Sequence, residues 1–128
     1  MTNLILLISE DAGADRQLRQ VFTTTAPSCR LEFAANLAEI ETLPTPGVIL
    51  LDFVYSPKPG FEILRWLRAE QRFKEVPVFV LAPQTFDASE AYALGANSCF
   101  IQDQAREGLE PIVSVIAAYA SLIGEQVP

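Results

Sequence analysis

Apolar residues along the chain fall into short continuous runs separated by helical patterns. Leu4-Ile5-Leu6-Leu7-Ile8 is unbroken and partly β-branched, which predicts a strand covered on both faces. From Asp15 to Thr25, Leu18, Val21 and Phe22 recur at helical spacing, and Pro27 closes the helix. Cys29 to Ala34 alternates weakly through Leu31 and Phe33 and predicts an edge strand. Asn36 with Glu39 three residues on predicts a capped helix start, and Pro44 and Pro46 keep that helix short. Val48-Ile49-Leu50-Leu51 predicts the next buried strand, which ends in Asp52. Pro57-Lys58-Pro59-Gly60 carries breaker residues and predicts a loop. Phe61, Ile63, Leu64 and Leu67 then mark a helix ending near Gln71. Val76 to Leu81 predicts a fourth strand, with Pro77 tolerated near its start. Asp87 to Leu94 predicts a short helix, with Asp87 and Glu90 at its start, Ala88, Ala91 and Tyr92 facing inward, and Gly95 as its stop. Ser98 to Ile101 predicts a fifth strand. The last helix has Pro111 in its first turn, Ile112, Val113, Ile116, Ala120 and Ile123 on one face, and Gly124 at its end.

Strand and helix thus alternate five times. That order predicts an α/β fold, a doubly wound parallel sheet with helices on both faces. At 128 residues, half of them hydrophobic, a packed core is within reach, and residues 1–128 are expected to form one domain without an effector domain.

Charge narrows the function. Nine basic against sixteen acidic residues give a net charge of −7. Such a chain lacks the basic surface that nucleic acid or an anionic membrane requires, so neither is an expected partner. There is no histidine, which excludes histidine catalysis and histidine metal sites within the chain. No serine or cysteine can be activated by a histidine base, so an enzyme of any ordinary kind is not expected. Cys29 and Cys99 are too few for a disulfide framework and are expected to be reduced, buried thiols of a cytoplasmic protein. Met1-Thr2-Asn3 lacks the basic start of a signal peptide, and Leu4 to Ile8 is too short to cross a bilayer.

In an open parallel sheet, ligands bind beyond the carboxyl ends of the strands. The first strand leads into Ser9-Glu10-Asp11, the third ends in Asp52, the fourth in Ala82-Pro83, and the fifth in Gln102-Asp103. If the first and third strands are neighbours, Glu10, Asp11 and Asp52 converge. Three carboxylates repel one another unless a cation sits among them, and oxygen donors alone favour a hard ion such as Mg²⁺. Acids at strand ends can equally be solvated caps of the following helix.

These residues resemble the receiver domain of two-component response regulators. The resemblance covers essentially the whole chain. It rests on Leu-Ile-Ser-Glu10-Asp11 followed by Arg16 and Leu18, and on Val-Ile-Leu-Leu-Asp52 with Gly60 eight residues later. Val76-Pro77-Val78 and Gly95-Ala96-Asn97-Ser98 also fit, in the right order. The Glu-Asp pair and Gly-Ala-Asn-Ser are also similar to the stand-alone receivers associated with phytochrome-like kinases. The resemblance implies a flavodoxin-like (βα)5 fold with strand order 2-1-3-4-5. It implies that Asp52 accepts a phosphoryl group from a phosphohistidine on a sensor histidine kinase or phosphotransfer protein. Mg²⁺ would be held by Asp11, Asp52, the backbone carbonyl of Val54 and, in support, Glu10. Output would pass to a downstream protein partner, and the face formed by helix 4, strand 5 and helix 5 is where such domains dimerise or dock, here with Phe86 and Tyr92 on it.

Several positions depart from that pattern. The Thr or Ser that ends strand four in receivers is Ala82, with Thr85 the nearest hydroxyl. The Lys-Pro that ends strand five is Gln102-Asp103. The aromatic switch position holds Cys99, with Phe100 beside it, and the Pro four residues past the acceptor is Ser56, with Pro57 one later. The chain has only two lysines, Lys58 and Lys74, so none can stand at the end of strand five. Lys58 could reach back toward Asp52 from the following loop, or be a solvated loop lysine; Tyr55 on that loop could meet a partner or cover the core edge. Three functions follow: a stand-alone receiver with weak phosphorylation at Asp52, a pseudo-receiver that works by contact without phosphate, and a flavodoxin-like cofactor binder. The last needs a Ser/Thr/Gly-rich phosphate loop after the first strand, where this chain is acidic. None is an enzyme beyond catalysing its own phosphorylation and dephosphorylation.

Overall fold

The apolar runs become strands of one parallel sheet in the computed structural model, which describes residues 4–9, 12–52, 57–83, 88–101 and 109–126, with backbone alone for 12–15, 57–59 and 121–126. In chain order the elements are β1 (Leu4–Ile8), α1 (Ala12–Thr25), β2 (Arg30–Ala34), α2 (Leu37–Thr42) and β3 (Val48–Asp52). They continue with α3 (Pro57–Ala69), β4 (Val78–Ala82), α4 (Ala88–Ala93), β5 (Ser98–Ile101) and α5 (Leu109–Gln126). The sheet order is β2-β1-β3-β4-β5, every pair parallel, as the family resemblance implies.

Side chains alternate across the pleat, so each buried strand feeds two cores. Leu6, Ile8, Ile49, Leu51, Val78 and Val80 face Ile40 of α2, Ile63, Leu64 and Leu67 of α3, and Ala91 of α4. Ile5, Leu7, Val48, Leu50, Phe79 and Leu81 face Leu18 and Phe22 of α1 and Leu109, Val113, Ile116 and Ala120 of α5. Both faces are covered, and for that reason β1, β3 and β4 read as continuous apolar runs rather than alternating ones. Burying one such Leu or Ile contributes about 1.5–3 kcal/mol, so the two cores dominate the fold's stability. β2, at the sheet edge, is only partly buried, and the Arg19 guanidinium lies 4.2 Å over its Phe33 ring.

Local chemistry sets the element ends. The Asn36 side chain accepts from the Glu39 N–H at 3.0 Å, while Glu39 Oε1 accepts from the Ala35 N–H, a reciprocal cap on α2. Gly95 has φ +107, a left-handed turn that ends the α4 segment. Several boundaries differ from the sequence reading. Pro57 to Gly60 are the first turn of α3 rather than a loop, because first-turn positions have no intrahelical N–H bond for proline to lose. α1 starts at Ala12 rather than Asp15, and α5 runs through Gly124 to Gln126. β4 proper begins at Val78, although the Pro77 carbonyl still accepts from Ile49 N–H.

Tyr92, expected to face inward, is 49% exposed. Ala91 takes the buried position of α4, and the Tyr92 hydroxyl, on the neighbouring face, accepts from the backbone N–H of Cys99 at 3.1 Å. Cys29 and Cys99 are free thiols, half-buried rather than buried, and burial pushes both thiols above their ordinary pKa.

Arg68, unmarked in the sequence, ties together the amino-terminal ends of β4 and β5. Its Nε donates to the Gly95 carbonyl at 3.0 Å, Nη1 to the carbonyls of Phe73, Lys74 and Val76 at 2.8–3.1 Å, and Nη2 to Asn97 Oδ1 at 2.8 Å. Asn97 Oδ1 also accepts from Val78 N–H, and Asn97 N–H donates to the Val78 carbonyl. Burial lowers the Arg68 pKa, yet a guanidinium stays charged at any ordinary pH.

Candidate functional site

β1 and β3 are neighbours in register, with Ile8 opposite Leu51. The next residue on each strand therefore brings Ser9 beside Asp52. Ser9 Oγ donates to Asp52 Oδ2 at 3.1 Å. Among the described residues, Asp52 is the one buried charged side chain, 8% exposed, in a strand that is otherwise entirely apolar. A carboxylate kept this far from water needs hydrogen bonds or a counter-charge, and Ser9 supplies one such bond.

β4 lies on the other side of β3, with Leu81 opposite Asp52. Ala82 is the next residue, the last of β4, 0% exposed, with a methyl where a hydroxyl donor would otherwise stand. It pairs with Ile101 of β5. Asp52 and Ala82 thus sit at the carboxyl ends of adjacent central strands, where the order of this sheet places ligands. Glu10, Asp11, Val54, Tyr55, Ser56, Thr85, Phe86, Gln102 and Asp103 lie outside the described residues, and of Lys58 only the backbone, in the first turn of α3, is described. Among the described residues no three Cys, Asp or Glu side chains cluster as metal ligands, and no helix is long and apolar enough to cross a membrane. The described donor at the site, the Asp52 carboxylate, is a hard oxygen of the type a divalent cation such as Mg²⁺ prefers.

A groove of about 490 Å³ opens at the opposite end of the sheet, lined in part by Pro46, Arg72, Lys74 and Pro77. Arg72 there is engaged with structure: it donates to Thr45 Oγ1 at 2.6 Å and to the Leu43 carbonyl, and it lies 4.5 Å over the Phe73 ring. The strand ends around Asp52, rather than this groove, carry the reactive groups.

The sequence reading missed Ser9. Its signal was present: a hydroxyl directly after one central strand, at the position that parallel register sets beside an acid ending the next.

No family model matches the chain. It is similar to the response regulator Rcp1 of Synechocystis sp. (strain ATCC 27184 / PCC 6803 / Kazusa), 28% identical over 110 residues, 76% of this chain and 74% of Rcp1. It is 25% identical to the response regulator Rre1 of the same organism over 119 residues, 89% of this chain but 51% of Rre1, so it spans about half of that protein's length. Its fold is similar to that of the phosphorylated cyanobacterial phytochrome response regulator RcpA, with a TM-score of 0.77, 20% identity, and coverage of 94% of this chain and 95% of that one. The Mn(2+)-bound form of Rcp1 matches with a TM-score of 0.69 and 23% identity over 98% and 96% of the two chains. The chain has the fold of response-regulator receiver domains, and the proteins it resembles in sequence and in structure are response regulators.

Proposed function

We propose that residues 1–128 form one receiver unit of a two-component phosphorelay, which accepts a phosphoryl group at Asp52 and signals by protein contact. The observation that carries this reading is the buried Asp52 carboxylate at the carboxyl end of the central strand β3. RcpA, whose fold this chain resembles, was solved phosphorylated. In the transfer, a carboxylate oxygen of Asp52 attacks the phosphorus of a phosphohistidine on a sensor histidine kinase or phosphotransfer protein. The P–N bond breaks, and the imidazole leaves with the electron pair and takes up a proton. Asp52, Asp11, Glu10 and the Val54 carbonyl would hold Mg²⁺. When bound, the ion would offset the negative charge of nucleophile and phosphoryl group.

Phosphorylation is weak in this reading. Ala82 offers the phosphoryl oxygens no hydroxyl, and Gln102 offers a neutral donor where receivers have a lysine. Losing one preorganised donor costs about 10²–10³ in rate. The buried methyl of Ala82 equally favours a second reading, a pseudo-receiver whose partner binding does not depend on phosphate.

A second copy or a downstream partner would dock on the α4–β5–α5 face. The exposed apolar side chains Tyr92, Ile101, Val115 and Tyr119 support this placement. The acidic charge argues against nucleic acid and membrane as partners. The unpaired thiols fit the reducing cytoplasm.

Incubation with acetyl phosphate and Mg²⁺, followed by intact mass, tests the reading. The chain gains the mass of one phosphoryl group and Asp52→Asn gains none. No gain, or equal gain in both, defeats the phosphoacceptor role. Labelling that changes partner affinity defeats the phosphate-independent reading.

A further inference from the structure

The Ser9 hydroxyl bonds Asp52 Oδ2 at 3.1 Å, yet phosphoryl transfer as described above gives it no task. It follows β1 directly and is half-buried, so the contact is partly shielded from water. Ala82, on the other side of β3, has no hydroxyl of its own to offer.

We propose that Ser9 sets the lifetime of the acyl phosphate at Asp52, as a positioning residue that acts on the carboxylate and not on the phosphoryl group. The inference rests on the reading of Asp52 as phosphoacceptor. With Oδ2 held by Ser9, Oδ1 forms the O–P bond. In the acyl phosphate, Oδ2 is then a neutral carbonyl oxygen and a modest acceptor. In hydrolysis a water oxygen attacks the phosphorus, the Oδ1–P bond breaks, and its electron pair returns to Asp52. The water proton leaves to solvent with inorganic phosphate as the product. The regenerated carboxylate spreads its charge onto Oδ2, so the Ser9 hydrogen bond strengthens as the bond breaks. A loose transition state has broken most of the leaving-group bond, so most of that gain is already present there. In the forward direction the same looseness means that little nucleophile charge is lost at the transition state. Ser9 therefore shortens the life of the phosphorylated state and hardly alters how fast it forms.

The test uses the full chain as wild type, Ser9→Ala and Ser9→Thr, each labelled from acetyl phosphate with Mg²⁺, freed of donor, and followed by intact mass. The Ser9→Ala acyl phosphate is expected to decay about fivefold more slowly, the difference between a charge-assisted and a neutral hydrogen bond. Its labelling rate stays close to wild type, and Ser9→Thr, which keeps the hydroxyl, restores wild-type decay. Infrared difference spectra of the unphosphorylated proteins, with Asp52→Asn identifying the band, show the Asp52 carboxylate stretch shifted in Ser9→Ala and restored in Ser9→Thr. Labelled wild type and Ser9→Ala that decay alike overturn the proposal, as does an Asp52 band that does not move. Wild type that takes no label overturns the phosphoacceptor reading and this role with it, a result distinct from labelled proteins with equal lifetimes.

Discussion

Ala82→Ser places a hydroxyl at the carboxyl end of β4, one residue past the register partner of Asp52, and separates rate from stability. The structural cost follows from the site. Ala82 is 0% exposed and packs in the core that holds Leu51, Val80 and Ala91. Adding one oxygen there costs about 1–3 kcal/mol if the hydroxyl finds no partner, and less if it reaches the pocket around Asp52. A domain of ordinary stability, about 5–15 kcal/mol, stays folded under that load. The kinetic gain is larger. Charge in phosphoryl transfer is spread over the three equatorial oxygens, and a positioned donor aimed at them is worth about 10²-fold or more in rate. Because those oxygens carry the charge in both directions, labelling from acetyl phosphate and hydrolysis of the product should both accelerate. Urea unfolding and time-resolved intact mass on the same preparation read the two effects separately. A folded Ala82→Ser chain that labels at the wild-type rate would refute the idea that the missing hydroxyl limits the chemistry.

Other predictions concern the opposite end of the sheet and the thiols. Arg68→Lys keeps a cation but cannot serve the carbonyls of Gly95, Phe73, Lys74 and Val76 together with Asn97; it should cost about 2–4 kcal/mol in urea unfolding, and a loss under about 0.5 would sink the staple role. Gly95→Ala puts a Cβ 2.8 Å from Arg68 Cγ at a φ of +107, so it should cost at least about 1–3 kcal/mol for the backbone alone, and less in an Arg68→Ala background, which removes the clashing Cγ, than in wild type, as a double-mutant cycle would show. Burial raises the Cys29 and Cys99 pKa values, so the stability that the neutral thiols carry is present below the unfolded thiol value of about 8.5 and is lost as pH rises through the higher folded values. Iodoacetamide at pH 8.5, near the ordinary thiol value, should thus modify the native chain more slowly than the urea-unfolded one; equal rates would contradict the burial.

The sheet was open to sequence reasoning because both its faces are covered. A strand such as Val48 to Leu51, buried on two sides, must be apolar at every position, and a single acid at its end stands out. The reciprocal cap at Asn36 and Glu39 was readable for a similar reason: its chemistry is local, confined to residues 35–39. Interactions across long separations were not. Arg68 meets Gly95 and Asn97 nearly thirty residues away, and no local pattern distinguishes it from the solvated Arg65 one turn earlier. Pro57 and Pro59 misled because proline interrupts a helix interior and initiates a helix start with the same residue, and only the position of the first turn decides between them. Tyr92 misled because helical spacing places a ring on a face but does not say whether a neighbouring backbone, here the Cys99 N–H at the sheet edge, offers its hydroxyl a partner near the surface. The candidate site was readable in its acid and invisible in its donor, since Ser9 gains meaning only from the register that sets it beside Asp52.

That register makes one combined prediction. Ser9 acts on Asp52 Oδ2, at the leaving-group end of the O–P bond, whereas a hydroxyl introduced at position 82 acts on the phosphoryl oxygens. The two donors touch different atoms and stabilise charge that develops in different places, so their effects on the barrier should multiply. Formation depends on the phosphoryl oxygens and hardly on Oδ2, so Ser9→Ala combined with Ala82→Ser should label as fast as Ala82→Ser alone. Breakdown depends on both, so its acyl phosphate should decay about fivefold more slowly than that of Ala82→Ser, the same factor expected in the wild-type background. A factor that vanishes when the hydroxyl is present would mean that both donors serve one group of atoms. Ser9 would then be a substitute for the missing strand-four hydroxyl, and not a separate control on how long the phosphorylated state lasts.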